Sequence, residues 1–198
     1  DDNADGGDDG EYGAGTPVVD PIDGTVDAAS YSKTMAPEIY LGNTTENLNG
    51  TDINGEEISL GESLEYVLRF QNTGDDNAVN YTIRDVLPKN VTFDNVDITD
   101  APGVTYSHDI IDNVLTFTIP NNLVEVGDPE YSIRIGFTTD ANCSEFLDAC
   151  SSLLENKAYS TYQGATNTQV FTDENGSASI SGCPSTLEVA SNSIFNSL

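Results

Sequence analysis

Apolar and polar residues alternate with a period of two along much of this chain, and this feature constrains the fold most strongly. In residues 64–70, Tyr66, Leu68 and Phe70 alternate with two charged residues and a valine. Successive side chains of a β-strand point to opposite faces, so these three large residues share one face. The segment therefore predicts a strand with one buried side.

Further segments of the same kind follow, and residues that favour turns separate them. Gly, Asn, Asp and Pro each favour turns through their own backbone conformation. No strand–helix–strand alternation occurs, so the pattern predicts an all-β, immunoglobulin-like antiparallel β-sandwich. The further predicted strands are 79–84, 91–98, 104–107, 114–119, 131–138, 157–162, 169–172 and 186–190. The predicted core residues are Tyr66, Leu68, Phe70, Ile83, Phe93, Phe117, Ile133 and Ile135.

Two segments depart from this pattern. Residues 144–154 have helical spacing, with apolar residues from Phe146 to Leu154, and predict a short helical insertion of one or two turns. Residues 1–29 are rich in Gly and Asp, contain no basic residue and cannot bury a core unaided. We therefore expect an acidic linker or calcium loop over 1–29, and a β-sandwich module over 30–198.

The charge balance excludes several classes of partner. Lys and Arg total 6 against 34 Asp and Glu, which gives a net charge of −28. Such a chain repels phosphate backbones and anionic lipid headgroups, so nucleic acid is not an expected partner. No apolar run reaches the length of a membrane-spanning helix, so membrane insertion is not expected either. The same charge suits the binding of divalent cations, above all calcium. The alternatives are that it only keeps an extracellular protein soluble, or that it reflects a salt-adapted proteome.

The acidic residues suggest three places for calcium. The first residues read D-x-N-x-D-G, a spacing that brings alternate side-chain oxygens toward one ion, although position twelve is Tyr12 rather than an acid. A disordered acidic linker is the alternative there. Two shorter acidic turns offer further oxygen ligands, with ordinary solvated turns as the alternative. The candidate ligands are Asp1, Asn3, Asp5, Asp9, Asp52, Asn54, Asp75 and Asp76.

Three cysteines, Cys143, Cys150 and Cys183, indicate a disulfide if the chain is exported. We favour Cys143–Cys150, with Cys183 pairing beyond this chain. The six intervening residues require a looped turn, because a straight helix would hold the two thiols too far apart. Cys150–Cys183 and Cys143–Cys183 remain alternatives.

Several motifs resemble a known family. Asn72-Thr73-Gly74, the D-x-LP of 85–88, the SKTMAP of 32–37 and the closing N-x-A segment within 155–164 resemble the domain-of-unknown-function-eleven repeat of bacterial and archaeal surface proteins. The insertion before the last motif resembles the variant in gliding-motility adhesins of Bacteroidota, which type IX secretion exports. Over about residues 30–190, the resemblance implies a sandwich, a cell-surface location and a place in a long stalk or filament. The SKTMAP segment resembles the family's first strand, and the N-x-A segment resembles its closing strand.

Lys33, Asp85 and Asn156 form a further candidate site. Some surface sandwiches join a first-strand lysine to a last-strand asparagine through an isopeptide bond, with a buried acid assisting. The reaction needs a desolvated, neutral amine, which burial supplies. The alternative is a surface lysine, an N-cap-like aspartate and a turn asparagine.

No motif for catalysis stands out, since His108 has no nucleophile elbow or triad context. The sequence therefore predicts a non-enzymatic structural or adhesive module of an extracellular surface protein. Its partners would be neighbouring modules of the same chain or filament. The alternative is a tip domain that binds a surface polysaccharide, or a protein of a host or substratum. A tip domain exposes a contiguous apolar patch, whereas a stalk module buries apolar surface only at its two ends.

Overall fold

The structure is a computed structural model that describes residues 35–141 and 153–172, and the backbone of 183–189. The chain divides into two units, Asp1–Met35 and Ala36–Leu198, and the second contains the sandwich. One sheet has four antiparallel strands in the order β1-β3-β8-β5. Their bounds are Ile39–Asn47 (β1), Ser63–Asn72 (β3), Tyr131–Thr139 (β8) and Val91–Asp97 (β5).

The second sheet has the order β2-β11-β9-β4-β7-β6, and β10 also pairs with β9. All of its pairs are antiparallel except the two-residue contact of β11 with β2. The bounds are Glu57–Ile58 (β2), Ala78–Val86 (β4), Thr105–Asp109 (β6), Val114–Thr118 (β7), Leu153–Gly164 (β9), Val170–Thr172 (β10) and Cys183–Val189 (β11). The predicted all-β sandwich of two antiparallel sheets is therefore confirmed.

The core lies between the two sheets, where the inward residues of each strand meet. Seven of the eight predicted core residues are buried, and Phe93 is the exception, being only partly buried. Phe93 lies on the edge strand β5, whose register shifts between Phe93 and Asn95, and its ring packs against His108 at a centroid distance of 4.5 Å. An edge strand covers the core from one side only, which explains the partial exposure.

The helical insertion is not supported where the structure describes it. Residues 142–152 lie outside the described residues, but Leu153 and Leu154 begin the strand β9 instead of ending a helix. From Leu154 onward, every second residue of β9 is buried, which is the period of a strand. The described residues contain one 3-10 turn, Asn121–Leu123, and no helix long and apolar enough to cross a membrane.

The resemblance to the domain-of-unknown-function-eleven repeat implied a first strand at residues 32–37, of which 32–34 lie outside the described residues. Within the SKTMAP motif, residues 35–37 are not in a strand, and β1 begins at Ile39. Its inward positions after Leu41 are the polar residues Asn43 and Thr45, both buried. Polar residues at buried positions hide the alternation that predicts a strand.

The first and the last described strands lie with their outer termini at opposite ends of the sandwich. Ile39, the first residue of β1, pairs with Asn72, and its N–H donates to the Tyr162 hydroxyl at 3.3 Å. The last described strand, β11, ends beside Leu153. Tyr162 and Leu153 lie nine residues apart on β9, which is about 30 Å along a strand. We call the end where β1 begins the N-proximal end, and the end where β11 finishes the C-proximal end.

The NTG motif fastens the N-proximal end. The Asn72 amide nitrogen donates to the carbonyls of Asp76 (2.8 Å) and Val124 (2.9 Å), and its oxygen accepts the N–H groups of Glu38 and Gly74. A Cβ atom at Gly74 would lie 2.4 Å from the Glu38 nitrogen, so only glycine fits there. The motif is thus a structural junction between three loops.

Candidate functional site: a buried Asp85–Asn156 pair

The two motifs D-x-LP and N-x-A meet in the core. Asp85 lies on β4 and Asn156 on the neighbouring strand β9, and Asp85 is the register partner of Ala158. Both side chains are fully buried, and the Asn156 Nδ2 donates to the Asp85 Oδ2 at 3.0 Å. Asp85 follows the core residue Ile83 by two positions, so the strand period turns it inward. The N-cap-like and turn interpretations of these two residues do not hold.

Several buried polar atoms around the pair have no hydrogen-bond partner among the described residues. They are the Oδ1 atoms of Asp85 and Asn156 and the hydroxyls of Thr45, Tyr66 and Ser160. Thr45 and Tyr66 are register partners in the facing sheet, while Ser160 follows Asn156 on β9. We call these five residues the core polar patch. Burying polar groups costs free energy unless they are hydrogen-bonded.

Burial controls the ionisation of Asp85. It raises the pKa of the carboxyl to about 7, and the Asn156 hydrogen bond lowers it by less. Burial also raises the pKa of Tyr66, and the nearby Asp85 carboxylate raises it further. The charged groups of Arg84, Glu155 and Lys157 belong to residues that are exposed or half-exposed, outside the core. Burial therefore favours the neutral form of the Asp85 carboxyl group.

The structure brings Asp85 and Asn156 together, but Lys33 lies outside the described residues. The two described lysines are not aimed at the pair, since Lys89 is exposed and the Lys157 amine pairs with Glu155 at 3.0 Å. A neutral carboxyl beside an asparagine amide can polarise the amide carbonyl for attack by a lysine amine. The attack would form the isopeptide bond and release ammonia. The isopeptide bond stays a prediction, and an intact mass lower by one ammonia would support it.

The acidic turns are engaged in contacts of their own. The Asp52 Oδ1 accepts the Asn54 N–H at 2.9 Å, and the Asp75 Oδ1 accepts the Ala36 N–H at 2.9 Å. Asp76 is buried, and its Oδ2 accepts both the N–H and the hydroxyl of Thr166. Among the described residues, no three acidic, histidine or cysteine side chains converge on a point that would hold a metal ion.

The remaining calcium and disulfide candidates fall elsewhere. Asp1, Asn3, Asp5 and Asp9 lie outside the described residues, as do Cys143 and Cys150. Only the backbone of Cys183 is described, as the first residue of β11. The calcium loop and the disulfide therefore stay predictions.

Sequence reasoning missed an ion-pair network on the outer face of the four-stranded sheet. Glu46 is buried there and pairs with Arg69 and with Arg134 (2.8 Å), and Arg134 also pairs with Glu65 (3.0 Å). Burial raises the pKa of Glu46, but hydrogen bonds and charge attraction from the two guanidinium groups outweigh it and hold the pKa below its usual value. The strand register brings these residues together, and no local sequence motif predicts the cluster.

Comparison with known proteins finds one domain family and several solved structures of similar fold. Residues 42–138 match the model of a domain of unknown function (DUF7619). No curated protein matches the chain. Its fold resembles BcpA, the major pilin subunit of Bacillus cereus, with a TM-score of 0.56 and 13% identity over 88% of this chain and 47% of BcpA. It also resembles the C-terminal domain of the AgI/II polypeptide BspA of Streptococcus agalactiae, with a TM-score of 0.50 and 11% identity over 76% of this chain and 50% of that one.

This chain thus spans about half the length of these structures. At such low identity the likeness shows the fold alone, and it agrees with the sandwich derived above. The resemblance to the domain-of-unknown-function-eleven repeat stays a prediction.

Proposed function

We propose that this chain is a non-enzymatic, load-bearing module of an extracellular surface protein, which carries tension along its long axis. The observation that carries the proposal is the position of its outer strands. Strand β1 begins at the N-proximal end and β11 finishes at the C-proximal end, about 30 Å away along β9. Modules joined through these ends would extend one after another.

The pairing of the two strands suits this load. All nine residues of β1 pair with β3, and six residues of β11 pair with β9. Tension along the strand direction slides each strand past its neighbour, so that many hydrogen bonds resist together. The NTG junction adds a fastening where β1 begins, because Asn72 and Asp75 both accept backbone N–H groups from residues 36–38.

The chemistry of the core supports a non-catalytic role. Asp85, the described carboxyl group with the strongly raised pKa, is completely buried. A substrate cannot reach it without opening the sandwich, whereas catalytic groups with shifted pKa values usually line a cleft. The fold likeness to a major pilin subunit and to a domain of an AgI/II polypeptide, together with the acidic composition, favours the cell surface.

Single-molecule force spectroscopy tests the proposal. In one arrangement, azide handles at residues 36 and 189 pull along the strands. In the matched control, handles at residues 49 and 111 pull apart two turns at the C-proximal end, which loads hydrogen bonds one after another. We expect the axial arrangement to unfold at a clearly higher force at the same loading rate, because forced unfolding depends on the barrier crossed. An axial force equal to or below the control would overturn the proposal.

A further inference from the structure

Within residues 36–141 and 153–172 of the sandwich, the exposed large apolar side chains concentrate at its two ends. Four of them lie at the C-proximal end, and Ile110 and Ile111 are 81% and 90% exposed. The exception away from the ends is Tyr106, whose ring packs on Phe117. The residues at the C-proximal end are Leu48, Ile110, Ile111 and Leu153, and those at the N-proximal end are Tyr40, Val126 and Val170.

The two isoleucines are held outward by a well-fixed turn. They follow β6, whose last residue, Asp109, pairs with Val114. The Asp109 Oδ1 accepts the N–H of Ile111 at 2.9 Å and that of Asp112 at 3.4 Å. A turn fixed in this way loses little conformational entropy when a partner covers it. Two adjacent, nearly fully exposed isoleucines at the tip of a rigid hairpin therefore form a preorganised apolar contact.

The opposite end offers a matching surface. The N–H of Val126 donates to the Asn77 side chain at 2.8 Å, and the N–H of Glu125 donates to Asp128 at 2.8 Å, so this loop is also fixed. Glu38 and Glu125 are exposed at this end.

Both ends carry exposed carboxylates, among them Asp109 and Asp112 at the C-proximal end, and a lysine supplies one complementary charge. Exposed Lys89 follows β4 at the C-proximal end and has no ion-pair partner among the described residues. Stacking two copies end to end would bring this free cation near the carboxylates of the N-proximal end, in a chain that is otherwise strongly acidic.

We propose that the C-proximal end of one copy docks on the N-proximal end of a second copy, with Ile110 and Ile111 packing against the loop that carries Val126. This inference rests on the proposed function and names the partner of the module. The two ends differ, so the contact is heterologous and generates an open head-to-tail stack rather than a closed dimer. Both surfaces are small, and the chains repel each other, so the contact is weak between free chains and strengthens when modules are linked.

Sedimentation velocity of the full chain, over a wide concentration range and in low and high salt, tests the proposal. We expect concentration-dependent association that salt strengthens by screening the net charge. The variant Ile110→Asp/Ile111→Asp should weaken this association at least tenfold. The control Thr105→Asp/Ser107→Asp adds the same charge to exposed positions of the same hairpin, away from both ends, and should change it little.

Complementation distinguishes a head-to-tail contact from other contacts. Val126→Asp should also abolish stacking, yet an equimolar mixture of the two end variants should form dimers, because each variant keeps one intact end. A wild-type chain that stays monomeric at all concentrations and salts would overturn the proposal. So would an isoleucine variant that associates like its control, or a Val126 variant that associates like the wild type. The force measurement uses single molecules, so the docking can fail while the load-bearing function stands.

Discussion

Replacing Asp85 with asparagine should stabilise the protein at pH 8. The carboxyl is fully buried, and its pKa is raised to about 7. An aspartate in an unfolded chain has a pKa of about 3.9, so the difference is about three pKa units, or about 4 kcal/mol at 1.36 kcal/mol per unit. Asparagine has nearly the same shape and carries no charge, so it removes this cost.

The sign follows from the proton balance. Between about pH 4 and pH 7, the folded chain keeps a proton on Asp85 that the unfolded chain has lost. The stability contributed by the neutral carboxyl is thus complete below about pH 4, and is lost as the pH rises through 7. Asp85→Asn should therefore match the wild type at pH 4 and exceed it by a few kcal/mol at pH 8.

Urea denaturation at pH 4, 6 and 8 measures this difference. The other carboxylates titrate in both proteins, so their effects largely cancel when the two are compared. Asp112→Asn, on the exposed turn beyond β6, removes one charge without touching the core, and should change stability by less than about 0.5 kcal/mol. If Asp85→Asn is less stable than the wild type by the same amount at every pH, then Asp85 is charged and paired, and the reasoning is wrong.

Three further predictions concern the junction, the ions and the thiols. Gly74→Ala should destabilise the protein by about 3 kcal/mol or more, because its Cβ would overlap the backbone of residues 36–38. Thermal unfolding measures this loss. The control is Gly55→Ala, whose Cβ would have nothing within 4 Å. Since Gly55 has a φ of +80°, that control carries its own strain cost of about 1 kcal/mol, and an equal loss in both variants would contradict the junction. Millimolar calcium should raise the melting temperature if the loop at residues 1–9 binds it, because a ligand bound only to the native state stabilises that state, whereas identical melting in EDTA would refute the site. Non-reducing peptide mapping should find Cys143 joined to Cys150, and three free thiols in the exported protein would contradict both the disulfide and the extracellular location.

Local patterns alone predicted the fold class and most of the core. Tyr66, Leu68 and Phe70 alternate in the sequence and are buried in the structure, because the period of a strand is a local property of its backbone. The same reasoning failed where the environment overrides the pattern. Phe93 is only partly buried because its strand lies at an edge. Leu153 and Leu154 belong to a strand because β11 pairs with them.

The candidate site shows which contacts cannot be predicted from the sequence alone. The motifs D-x-LP and N-x-A singled out Asp85 and Asn156, but their contact depends on a register between strands some seventy residues apart. The same holds for Glu46, Arg69 and Arg134, which no spacing in the sequence connects. Alternation is written into neighbouring residues, so the sequence determined which side of each strand is buried. Only the tertiary structure decided which buried polar groups face one another, because it alone fixes the strand order, the register and the dielectric environment that shift the pKa of Asp85.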